Sequence, residues 1–148
     1  MPSISPPASG SSVRGDALRT LLHATVTGDA AAVAGLVTED VVGWSPNMMV
    51  ESRDQLLSAL DVRDDSFTSV RFDLTALDHI GDKAIAEWRV GADHTGPWFI
   101  DDDLAIESTG RRLHLSGVTV AEFDGDRICA FRSYFDDMAL IEQVLAGG

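Results

Sequence analysis

The sequence predicts an α+β fold: a curved antiparallel or mixed sheet of about six strands, packed against three N-terminal helices and one C-terminal helix as a cone-shaped barrel. Three observations predict it. Apolar residues recur at helical spacing up to Leu60, apart from short strand-like runs, whereas beyond Ser69 they alternate with polar ones in the two-residue rhythm of strands. The turn Asp124-Gly125-Asp126 separates two β-rich runs, a hairpin signal because glycine takes φ > 0 without steric cost. After Phe135 the rhythm becomes helical again.

Taken in order, Met1 to Ser12 is a Pro-, Ser- and Gly-rich stretch too poor in apolar groups to offset its ordering entropy, and is expected to be a disordered tail before a single domain over 13–148. Leu18, Leu21 and Leu22 mark a first helix that Gly28 stops. Asp29 can cap a short second helix with Val33, Leu36 and Val37 as its apolar face. Val41 to Ser45 is a short strand ended by Pro46, and Met48 to Val50 a second. Ser52 and Gln55 form the capping box of a third helix, with Leu56, Leu57 and Leu60 on one helical face.

The longer strands follow. Val70, Phe72, Leu74 and Ala76 share one face of the first, and Ala84, Ala86, Trp88, Val90 and Ala92 one face of the next. Asp93 to Gly110, with Gly96-Pro97 and the acidic run Asp101 to Asp103, reads as a loop holding one short element. In the final hairpin a three-residue loop pairs Phe123 with Arg127, Ala121 with Cys129, Thr119 with Phe131 and Gly117 with Ser133. That register gathers Gly117, Thr119, Ala121, Phe123, Cys129, Phe131 and Ser133 on one face, whereas a two-residue loop would mix the faces. Asp136 or Asp137 caps the last helix, with Met138, Ile141 and Leu145 inward.

The net charge of −13, from 11 basic and 24 acidic residues, argues against nucleic-acid partners and an anionic membrane surface. The lone Cys129 excludes an internal disulfide, and the N-terminus lacks the regions of a signal peptide, so a cytoplasmic location is expected. Neither a cofactor nor a metal is expected. A sheet closed by helices leaves a hollow suited to a small hydrophobic molecule.

The Gly28-Asp29 junction, Trp44-Ser45-Pro46, His94-Thr95-Gly96-Pro97, Gly117-Val118-Thr119-Val120, Asp124-Gly125 and Tyr134-Phe135-Asp136 together resemble the nuclear transport factor 2-like superfamily and, within it, SnoaL-like polyketide cyclases. The resemblance implies a cone that takes polyketide-like or terpenoid-like molecules for cyclisation or isomerisation. It also places the relatives' acid and base groups. The cyclase aspartate and histidine fall on Ser133 and Thr119, the ketosteroid isomerase aspartate and tyrosine on Ser45 and Leu21, and the epoxide-hydrolase arginine and aspartates on Trp88, Val90 and Ser133. The usual carboxylate base is therefore missing.

His94, Ser133 and Thr119 are the expected catalytic residues: a histidine on the parity of Trp88, and two hydroxyls placed to polarise a carbonyl. Trp44, Met48, Trp88, Val90, Phe131 and Phe135 are the expected substrate-binding residues, with core filling as the plainer role for the two tryptophans. A non-catalytic binding or dimeric assembly module is the alternative, the homodimer forming through the outer sheet face.

Overall fold

The computed structural model describes residues 10–61, 66–101 and 103–146. Helix α1 (Gly10–Thr27) starts earlier than expected, inside the stretch read as tail, and buries Ala17, Leu18, Leu21, Leu22 and Ala24. Asp29 accepts from Ala32 N at 3.3 Å to cap α2 (Ala30–Val33). That helix is a single turn, because Val37 already opens strand β1 (Val37–Ser45) instead of closing a helical face. Strand β2 (Met48–Val50) returns beside it. Ser52 Oγ accepts from Gln55 N at 3.1 Å and caps α3 (Arg53–Leu60), while Gln55 Oε1 reaches back to Glu51 N at 2.7 Å.

Strands β3 (Phe67–Ile80), β4 (Lys83–His94), β7 (Arg112–Asp124) and β8 (Arg127–Phe135) complete a sheet of order β2-β1-β8-β7-β4-β3. All neighbours are antiparallel except β1 and β8. The segment expected as a loop with one element forms a separate hairpin of β5 (Trp98–Asp101) and β6 (Leu104–Ile106). Of the acidic run, Asp101 ends β5, Asp103 lies in the turn, and Asp102 is outside the described residues. Helices α1 to α3 cover one face of the sheet with the core cluster between.

The final hairpin differs from its expected register. Asp124 pairs with Arg127, leaving the two-residue turn Gly125-Asp126 with Gly125 at φ 63°, and one extra residue then separates the pairs Phe123–Ile128 and Glu122–Ala130. This bulge at Cys129 restores the alternation that a two-residue turn would otherwise have reversed. Thr119 therefore faces Ser133, Ala121 faces Phe131, and Ile128 instead of Cys129 is buried. A second irregularity, at Ser69 with φ 51°, leaves Val70 39 % exposed where an inward side chain was expected.

Asp136 Oδ1 accepts from Met138 N at 3.0 Å at the start of α4 (Asp137–Ala146). The Gln143 amide pairs with both backbone groups of His114, at 2.8 and 2.6 Å, and this fixes the rotation of the helix. Val144 turns inward as a result, and Met138 and Leu145, expected inward, are exposed. On the outer sheet face Val42, Trp44, Met49 and Tyr134 are exposed together. No described helix is long and apolar enough to cross a membrane.

Candidate functional site

Two cross-strand pairs of glycine and an aromatic ring shape the site. Trp88 on β4 stands opposite Gly117 on β7, and Phe131 on β8 opposite Gly43 on β1. A Cβ at Gly117 would lie 2.3 Å from Trp88 Cζ2, and one at Gly43 would lie 2.3 Å from Phe131 Cζ. Each ring thus lies over a backbone that has no side chain, which keeps it low against the sheet and leaves room above. Phe72 and Phe135 flank Trp88 at centroid distances of 6.3 and 5.9 Å.

Between the rings runs a buried chain of polar groups. Trp88 Nε1 donates to Thr119 Oγ1 at 3.0 Å, and Thr119 Oγ1 lies 2.7 Å from Ser133 Oγ. The direction follows from the donor inventory, since an indole N–H can only donate. Thr119 is fully buried, so its own proton needs an acceptor, and Ser133 Oγ is the one at hand. Leaving that proton without a partner would cost about 1–3 kcal/mol. Ser133, at the cavity wall, is left with a hydroxyl proton to offer inward.

The cavity above has a volume of about 490 Å³, within the roughly 300–1,000 Å³ typical of small-molecule sites. Its sheet side is made by Phe72, Trp88, Val90, Leu115, Phe131, Ser133 and Phe135, together with Ser45, Asn47 and Met48 from the β1–β2 corner. Leu21, Leu22 and the end of α1 from Thr25 to Gly28 close it from the helical side, with Ala59, Leu60 and Asp61 from α3. Asp61 is exposed at the rim and is the one ionisable lining residue among the described residues. Sequence reading missed Thr25, Thr27, Asn47 and Asp61, although the hydroxyl pair just before Gly28 marks a helix end with polar groups to place.

Of the expected substrate-binding residues, Met48, Trp88, Val90, Phe131 and Phe135 line the cavity. Trp44 does not. Val37, Val41, Gly43 and Ser45 are the buried residues of β1, so Trp44 projects from the opposite face and packs on Tyr134 at 5.4 Å. Of the expected catalytic residues, Ser133 lines the cavity and Thr119 stands directly behind it. His94 lies outside it, fully buried at the end of β4 between Phe67 and Trp98. Its Nδ1 accepts from Thr109 N at 3.3 Å and lies 3.0 Å from Thr109 Oγ1, while Nε2 has no hydrogen-bond partner among the described residues. It anchors the segment after β6.

The positions onto which the resemblance maps the relatives' acid and base groups, Leu21, Ser45, Trp88, Val90 and Ser133, all line this cavity, with Thr119 behind. Arg89 and Asp136 are exposed and not among the lining residues. On the outer face Arg132 bonds Glu122 at 2.7 Å, and that hydrogen bond holds the Glu122 carboxyl below its ordinary value. Burial pushes the Cys129 thiol up, with Glu122 adding to the effect.

The sequence matches the SnoaL-like domain family over residues 18–131. No curated protein shows significant sequence similarity to the chain. Its structure is similar to that of a candidate SnoaL-like polyketide cyclase from Jannaschia sp. CCS1, with 15 % identity, 96 % of this chain and 98 % of that one covered, and a TM-score of 0.72. It is similar to IdmH, a candidate polyketide cyclase from Streptomyces antibioticus, with 16 % identity, 88 and 97 % covered and a TM-score of 0.72. A third likeness is to an LEH-like epoxide hydrolase of M. tuberculosis, with 16 % identity, 94 % of each chain covered and a TM-score of 0.68. At such identities these structures speak to the fold.

Proposed function

This chain belongs to the SnoaL-like domain family, and on that premise we propose that its cone binds a polyketide-like or terpenoid-like molecule and promotes its cyclisation or isomerisation without a carboxylate base. The observation that carries the reading is the Trp88–Thr119–Ser133 relay, which ends in a hydroxyl proton at a cavity wall otherwise made largely of aromatic and aliphatic side chains on the sheet side. In ring closure, an enol carbon of the bound molecule attacks a carbonyl carbon of the same molecule. The new C–C bond forms as the carbonyl π bond opens, and the negative charge gathering on that oxygen is met by the Ser133 proton. The enol proton leaves to water, and water returns one to the oxygen. The walls hold the two carbons close, which replaces an encounter by a positioning step. Thr119 and Trp88 act as positioning residues, and His94 has no part.

Incubation with a linear polyketone and mass spectrometric detection of a cyclised isomer tests this, with Ser133→Ala expected to lower turnover by about a hundredfold. Turnover unchanged in that variant would remove the relay from the mechanism. A binding module is the second reading, favoured by Asp61, at the rim, being the one ionisable group among the described lining residues. Native mass spectrometry showing a molecule carried unchanged, with no isomer formed, would select it. The proposal includes a homodimer through the outer sheet face, supported by the exposed cluster of Val42, Trp44, Met49 and Tyr134.

A further inference from the structure

Hydrogen-bond accounting gives the two sides of the cone opposite polarity. On the sheet side, Ser133 holds the proton that the relay leaves free. Nearby, Asn47 accepts the Ser45 proton on Oδ1 at 2.9 Å, so the part of its amide still open is the donor Nδ2. On the helical side the order reverses. Thr25 donates its proton to Leu22 O at 2.6 Å and Thr27 to His23 O at 3.0 Å, so both present lone pairs at the rim. Asp61 is a carboxylate, an acceptor only. These three are exposed, as is Asn47, whereas Ser133 is 8 % exposed, so among the described residues acceptors line the helical side of the mouth and the Ser133 donor sits at the floor.

We infer that the cone selects an apolar molecule with a carbonyl oxygen at its buried end and a donating hydroxyl at its exposed end, and that Thr25, Thr27 and Asp61 set this orientation. The inference rests on the cone being a small-molecule site and adds a direction of entry to it. A molecule entering backwards would set its carbonyl oxygen against the lone pairs of Thr25, Thr27 and Asp61 on the helical side of the mouth. That repulsion opposes the wrong orientation while the attractive contacts favour the right one.

Three probes test it by calorimetry on the full chain: a hydroxylated aryl ketone, its O-methyl ether, and the analogue with methylene in place of the carbonyl. Each change is expected to weaken binding by about threefold to tenfold, the range of one neutral hydrogen bond. The ether penalty should vanish when Thr25→Val, Thr27→Val and Asp61→Ala are combined, and persist in Thr25→Ser with Thr27→Ser. The methylene penalty should vanish in Ser133→Ala. An ether that binds wild type as tightly as the parent ketone overturns the inference while leaving the binding site standing. Failure of all three probes to bind overturns both.

Discussion

Gly117 and Trp88 face each other across the β4–β7 ladder, and the indole occupies the space a side chain at 117 would need. An alanine there would put its Cβ 2.3 Å from Cζ2, so the ring must tilt into the cavity or the strands must part. Where space is free, replacing glycine by alanine stabilises by about 0.4–1 kcal/mol. Overpacking costs about 1–3 kcal/mol, so Gly117→Ala should destabilise. A urea midpoint that rises in this variant contradicts the packing described.

Thr119→Val keeps the shape and removes the hydroxyl. The buried Trp88 N–H then loses its acceptor, a loss of about 1–3 kcal/mol. Ser133 loses the partner that orients it, so affinity for a carbonyl ligand should fall alongside stability. Thr119→Ser should restore both. Stability of the valine variant equal to wild type would mean that the relay is not formed.

His94→Ala separates architecture from chemistry. Removing a fully buried ring that accepts from Thr109 N should cost about 2 kcal/mol or more. The site shares no lining residue with the cavity, so ligand affinity of the folded variant should stay within about twofold of wild type, as for independent sites. A large loss of affinity in folded protein would restore His94 to the site.

Glu122 gives a pH dependence whose sign is fixed. Its carboxyl is held below the ordinary value of 4.5 chiefly by the hydrogen bond from Arg132. A depressed carboxyl contributes stability above its ordinary value and loses it as the pH falls through the lowered one. Both side chains are more than a third solvent-exposed, so Glu122→Gln should cost at most about 1 kcal/mol at neutral pH. The gap to wild type should close on acidification below that range. A gap that stays constant into acid would contradict the pairing.

Trp44→Lys places a charge in the exposed apolar cluster without disturbing the core. If the outer face joins two copies, sedimentation should shift from dimer to monomer while the unfolding midpoint of the monomer changes by less than about 0.5 kcal/mol. Sedimentation identical to wild type would exclude that face as the interface.

Much of the fold was legible because its signals are local: the Ser52–Gln55 cap, the Asp124-Gly125 turn and the alternation along β4 each act within a few residues. A three-residue loop would place Thr119 and Ser133 inward, and the structure reaches the same parity by a two-residue turn followed by the Cys129 bulge. What escaped depends on partners distant in sequence. Locally Trp44 is the larger apolar group, but Gly43 must face inward to leave room for Phe131, which lies on another strand. The Cys129 bulge was hidden because β8 has small or apolar side chains at both parities around it. The acceptors at the rim come from helix ends that meet only once the domain has closed.

The parallel ladder between β1 and β8 has a kinetic consequence. It joins residues as far apart as Val42 and Ala130, so nothing made early can complete it. On a ribosome, β1 and β2 would emerge with one edge unsatisfied and wait for the closing strand while nearly the whole domain is translated. Such long-range closure is slow, and the waiting hairpin is the part of the nascent chain most open to capture by chaperones or by another copy of itself.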